Sequence, residues 1–218
     1  MKNILCRFLT LALLAASLTF SSCAGVSMDI QMNRDGSSRL TLEYRLFRML
    51  ENLGKLDGNE SMPTLPIGKT DWQRTADRIQ GMKLVSFSVK DEKKDFVYKV
   101  TLDFDNEKSL LQFLDPSSQR AVINRQNQSG VFDILLLDKP PVYDSDMMDL
   151  IAFLSQDYNF SVSFSSPSNS TLILKDANGN PLSASNAKII PTGKKVSFST
   201  GIMDIFELKD GLRIIFNW

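Results

Sequence analysis

Apolar and polar residues alternate with a period of two over much of the chain. Val26, Met28, Ile30 and Met32 alternate with Ser27, Asp29, Gln31 and Asn33, the pattern of a half-buried strand. Asn33-Arg34-Asp35-Gly36 is a turn signal, and Leu40, Leu42, Tyr44 and Leu46 alternate behind it. The two runs predict an antiparallel hairpin. A second hairpin is predicted from Val85, Phe87 and Val89, a charged turn at Asp91-Glu92-Lys93-Lys94, and Phe96, Tyr98, Val100, Leu102 and Phe104. A weaker pair is expected over Ala121 to Arg125 and Val131 to Leu137, around Gln128-Ser129-Gly130. Later strands are expected at Phe160 to Phe164, Leu172 to Leu174, Val196 to Phe198, Met203 to Leu208 and Leu212 to Trp218.

Helices are predicted where the period lengthens. Arg45 to Leu53 is read as a short helical segment ahead of a loop over Lys55 to Lys69. Thr70 and Gln73 fit a capping box that opens a helix to about Gln80, with Gly81 ending it. Asp105 is placed to cap a helix over Lys108 to Leu114, and Asp144 or Ser145 one that runs to about Gln156. The expected fold class is α+β: an antiparallel β-sheet built from hairpins, with a few helices packed on one face.

The N-terminus is different. Lys2 and Arg7 precede a short apolar run, Phe8 to Phe20, then Ser21, Ser22 and Cys23. A basic start, a short apolar core and small residues before a cut describe a secretory signal peptide. The run falls short of the roughly 20 residues that span a bilayer, which disfavours the alternative of a transmembrane anchor. Phe20-Ser21-Ser22-Cys23 reads as a relaxed bacterial lipobox, with Phe20 and Ser22 departing from the strict pattern. Residues 1–22 are therefore expected to be the lipoprotein leader, and 23–218 a single α+β extracytoplasmic domain. Cys23 would carry a palmitate-type acylated anchor; ordinary cleavage nearby would leave it a free thiol. Cysteine counting favours the lipid. Cys6 goes with the leader, so Cys23 has no intramolecular partner in an exported chain. Several acyl chains anchor stably where a single chain is marginal. Only Ala24 and Gly25 separate Cys23 from the first strand signal, so the domain is expected to sit close to the bilayer.

Composition narrows the function. Removing the leader leaves 23 basic against 25 acidic residues, which gives no electrostatic reason to bind nucleic acid. The chain has no histidine, the commonest general base and a common metal ligand. With no free thiol in the mature chain, cysteine catalysis and zinc–sulfur sites go as well. Ile67-Gly68-Lys69-Thr70 ends like a phosphate loop, but Pro63 stands where the first glycine is needed. Asp176 to Asn180 has its glycine at the wrong position of a calcium loop, and Ala187 stands where the bidentate glutamate belongs. Asp144, Asp146 and Asp149 are accounted for as first-turn acids that complement a helix dipole. Asn-X-Ser/Thr triplets at Asn59, Asn127, Asn159 and Asn169 carry no expectation in a bacterial lipoprotein. No Gly-X-Ser-X-Gly elbow is present. The expectation is a protein that is not an enzyme and takes no cofactor or metal.

Met147, Leu150, Ile151 and Leu154 form an i, i+3, i+4, i+7 stripe, while Met148 and Phe153 are apolar off that stripe. Such a helix is buried in a core, or it covers an apolar cavity or touches a membrane. Phe87, Phe96, Tyr98 and Phe104 on the second hairpin form an ordinary core or the wall of an apolar pocket. The candidate ligand-binding residues are Met147, Met148, Ile151, Phe153, Leu154, Phe87, Phe96 and Tyr98.

The layout resembles the LppM-type family of small bacterial lipoproteins. The likeness rests on Cys23, the strand Val26 to Met32, Asp35-Gly36 and the strand Leu40 to Leu46 at one end. At the other it rests on the helix Met147 to Leu154, Phe160 to Phe164 with Pro167, Asn178-Gly179, and Leu212 to Trp218. Lys55 to Asp138 matches only as a pattern of elements. The relaxed lipobox departs from the family, as does the lack of the C-terminal membrane helix that some relatives carry. The resemblance implies an α+β envelope domain that contacts lipids or glycolipids, and it brings no catalytic motif. The combined expectation is an exported protein, lipid-anchored at the outer membrane or the periplasmic face of the inner membrane, that binds a lipid or other apolar ligand. The alternative is a structural module that binds an envelope protein partner through an edge strand or surface patch.

Overall fold

The first hairpin forms as its alternation demands. In a computed structural model that describes residues 24–47, 68–139, 144–182 and 188–218, β1 (Ala24–Met32) pairs antiparallel with β2 (Ser38–Phe47). Arg45–Phe47, expected to turn helical, continue β2; the rest of that segment lies outside the described residues. Helix α1 (Lys69–Arg78) follows, then β3 (Met82–Asp91) and β4 (Asp95–Phe104) as the second hairpin. Helix α2 (Glu107–Leu114) leads into β5 (Ala121–Gln126) and β6 (Ser129–Leu137). Helix α3 (Ser145–Ser155), β7 (Asn159–Ser165), β8 (Thr171–Lys175), β9 (Lys188–Thr192), β10 (Lys195–Gly201), α4 (Ile202–Phe206) and β11 (Leu212–Asn217) complete the order.

These strands build two sheets rather than one. The larger has the order β3-β4-β2-β1-β7-β10-β9, and the smaller β5-β6-β11-β8. The larger sheet is mixed, which corrects the purely antiparallel expectation: β1 and β7 run parallel, with Met28 opposite Val162 and Ile30 opposite Phe164. No local turn joins that pair, so no turn signal announces it.

One face of the larger sheet is apolar and the other wet. Ile30, Leu40, Tyr44, Val100, Leu102, Phe104, Val162, Phe164, Val196 and Phe198 are buried. Ser27, Asp29, Arg39, Thr41, Ser161, Ser163 and Ser197 alternate with the apolar residues of their strands. The polar residues pair across strands: Arg39 with Asp103 at 2.7 Å, Lys195 with Asp29 at 2.9 Å, and the hydroxyls of Ser163 and Ser197 at 2.8 Å. Over β1, β7 and β10 the smaller sheet meets the apolar face, through Phe132, Phe216 and Trp218 around Phe164. At the other side α1 and α2 meet it, Trp72 and Phe104 both packing on Phe113. Apart from Val97, the buried apolar residues described in both sheets belong to one hydrophobic core.

Four local expectations change. The N-cap of α1 is Gly68, whose N–H donates to the Asp71 carboxylate at 3.2 Å, and not Thr70. Asn106, not Asp105, caps α2, its Oδ1 accepting from the Ser109 N–H at 3.0 Å. Met203 to Leu208 is not extended, because α4 occupies most of it. The Asp204 carboxylate accepts from Thr200 and from the Gly201 N–H, each at 3.0 Å, which satisfies donors at the helix start. The register of β3 shifts between Leu84 and Ser86, so Val85 lies at a bulge and is nearly half exposed instead of facing inward. Strand β9 was not expected from its Lys-Ile-Ile-Pro-Thr sequence and forms by pairing with β10.

Candidate functional site

The inner faces of the two sheets leave a cavity of about 130 Å³. Alternation aims Met28 from β1 and Phe160 and Val162 from β7 at it from one side. From the other come Ile134 and Leu136 of β6 with Ile214 and Phe216 of β11. Leu114, the last residue of α2, and Ala121, the first of β5, close a margin. An apolar cavity of about 150 Å³ stays dry and accepts a benzene-sized molecule, so this space suits one small apolar group or the end of a chain.

Arg120 is the charged residue among the described residues of the lining. Its position is set by the loop after α2. There the Asp115 carboxylate accepts from the Ser117 hydroxyl at 2.6 Å and from the backbone N–H groups of Arg120 and Ala121 at 2.5 and 2.9 Å. The Ser117 hydroxyl, with these backbone donors behind it, holds the Asp115 carboxyl down to about 2. The Arg120 carbonyl accepts from the Leu135 N–H at 2.7 Å, which ties the loop to β6. No ion pair between described residues uses the Arg120 side chain.

The residues singled out from sequence are elsewhere. Tyr98 is buried and stacks on Tyr44, ring centroids 5.0 Å apart, with Phe87 tilted against it at 6.4 Å. Phe96 is partly buried against the core. Met148 and Ile151 on α3 are half-buried, and Phe153 is 66% exposed. None of these six lines the cavity. Met147 and Leu154 lie on α3, and Cys23 lies outside the described residues. The lining residues Met28, Phe160, Val162, Ile134, Ile214 and Phe216 are not among those singled out from sequence. Their alternation marks them as inward-facing, yet nothing in it says which inner faces meet.

A second feature lies at the end of the larger sheet where β1 begins. Tyr158, just before β7, donates its phenolic hydrogen to the buried Asp95 carboxylate at 2.5 Å. Arg45 reaches Glu92 at 2.8 Å and Asp95 at 3.8 Å. Burial, then the Asp95 hydrogen bond and charge, push the Tyr158 phenol well above its ordinary range. This polar cluster fastens β2, the β3–β4 turn and the entry to β7 together.

Among the described residues no three acidic or cysteine side chains gather as metal ligands, and no helix is long and apolar enough to cross a membrane. No protein-family model matches the chain, and no curated protein matches it. Among solved structures it is similar to the folded domain of the Mycobacterium tuberculosis LppM protein, determined by NMR, with a TM-score of 0.38 and 10% identity. The match covers 81% of this chain and 88% of that one, and describes a distant structural relationship.

Proposed function

We propose that this chain is a non-enzymatic, lipid-anchored envelope protein whose domain binds an amphiphile between its two sheets. The apolar cavity between β1 and β7 on one side and β6 and β11 on the other carries this reading. Its walls offer an apolar group burial without a polar partner, and Arg120 offers a counter-charge to an anionic head. Cys23, directly ahead of β1, is the lipidated residue in this account. Calorimetric titration with dodecanoate and with dodecyltrimethylammonium tests the ligand. Dodecanoate should bind and the cation should bind at least tenfold more weakly. Ile134→Phe, which fills the cavity, should abolish dodecanoate binding while the far-UV circular dichroism is kept. Unchanged binding in that folded variant refutes the cavity as the site.

A second reading has its own observation. Strand β9 is outermost in its sheet, and Ile189 and Ile190 on it are 45% and 56% exposed. An envelope protein could add a strand there, although Pro191 lacks the N–H that such pairing uses. A protein that co-purifies through β9, with no bound lipid, would favour this reading.

A further inference from the structure

The start of β1 is pinned to two helices that leave apolar surface uncovered. Ala24 pairs with Asn159, the first residue of β7. A β-carbon on Gly25 would come 2.7 Å from the Tyr158 Cβ and 2.9 Å from the Ile202 Cδ1, so only glycine lets the strand approach that closely. Tyr158 in turn donates its N–H to the Ser155 carbonyl at 2.9 Å, at the C-terminal end of α3. Its own carbonyl accepts from the Ile202 N–H at 3.1 Å, at the N-terminal end of α4. Gly25, the end of α3 and the start of α4 therefore form one cluster. Within one turn of that end of α3 stands Phe153, the most exposed large apolar side chain among the described residues. Helix α4 has four apolar residues out of five, Ile202, Met203, Ile205 and Phe206; Ile202 and Ile205 pack against the core, and all four stay half-buried.

We infer that this end of the domain rests on a lipid bilayer, with Phe153 seated in the interface. The inference rests on the reading that Cys23 carries lipid. Gly25 is two residues from Cys23, at most about 7 Å of extended chain, so an anchor on Cys23 holds the Gly25 cluster near the headgroups. Interfacial helices seat their apolar faces about 5–10 Å into that boundary. Charge plays little part. At the neighbouring β3–β4 turn Lys90 pairs with Glu92 at 2.8 Å, and Lys94 lies 4.0 Å from Asp157. The contact is apolar and should not depend on the fraction of anionic lipid. The β1–β2 turn lies at the opposite end of β1, about 30 Å away for a strand of this length.

The test uses the full chain, processed and purified from bacterial membranes, in phosphatidylcholine vesicles with brominated acyl chains. Native Trp72 and Trp218 are only 3% and 9% exposed, so a tryptophan added at the surface reports separately from them. Phe153→Trp should show a blue-shifted emission that brominated lipid quenches at least twofold. Arg34→Trp, in the β1–β2 turn, should show no added quenching. Both positions are exposed, so neither change threatens the fold. Vesicle flotation with no quenching at position 153, or equal quenching at both positions, overturns the proposed contact and leaves the anchor standing. A chain that does not float overturns the anchor and the contact with it.

Discussion

The rings of Phe164 and Phe216 stack across the space between the two sheets, with centroids 4.9 Å apart and planes 18° from parallel. Both side chains are fully buried, and Phe132 and Trp218 pack around them. This contact joins a strand of the parallel pair to the strand that ends the chain. Phe164→Ala should cost about 3–5 kcal/mol, the range for a buried phenylalanine. Urea unfolding followed by circular dichroism measures it. A double-mutant cycle with Phe216→Ala should return a coupling of about 1 kcal/mol.

Gly130 sets how closely the chain end can approach. Its N–H donates to the Trp218 carbonyl at 2.8 Å, and the Trp218 N–H donates back to the Gly130 carbonyl at 3.0 Å. A β-carbon on Gly130 would overlap the Trp218 indole. Gly130→Ala should displace that ring from its place beside Phe164. The expected readout is a red-shifted Trp218 emission and a loss of about 1–3 kcal/mol, the usual cost of overpacking.

The Asp115 loop gives the fold an acid-sensitive joint. Its carboxyl is held at about 2 in the folded chain, below the usual 3.8. A group whose folded pKa is depressed contributes stability above its unfolded pKa, and that contribution is lost as pH falls through the folded value. The part owed to Asp115 is therefore complete above about pH 4 and fades between about pH 4 and 2. Asp115→Asn should be less stable at pH 7 and show a flatter stability profile across that window, by urea unfolding at stepped pH.

Arg120 separates a counter-charge from a bystander. Arg120→Gln should weaken dodecanoate binding about tenfold, which is about 1.4 kcal/mol. Binding of dodecyltrimethylammonium should not weaken. Equal losses for the two ligands would remove Arg120 from the account.

The hairpins were legible in the chain because they are local. Val26 to Met32 and Leu40 to Leu46 carry their period and their turn with them, as do Tyr98 to Phe104. The parallel pairing of β1 with β7 was not, since a contact over more than a hundred residues leaves no mark on either strand alone. Helix α4 was misread because five mostly apolar residues fit a strand as well as a helix. Asp204, by accepting from Thr200 and Gly201, decides between them. The cavity was out of reach for another reason. Phe160, Val162, Ile214 and Phe216 have the same alternation whether the sheets they face close fully or leave a gap. Phe153 departs from the apolar stripe of its helix, and the structure exposes it away from the cavity.

The space between the sheets is proposed to hold an apolar ligand. The most direct measurement is mass spectrometry of an organic extract from the Ala24 to Trp218 chain, purified without detergent from bacterial periplasm, beside the Ile134→Phe variant. The account predicts a stoichiometric anionic amphiphile from the first and none from the second. A folded protein that yields no lipid, or a variant that carries the same amount, would contradict it.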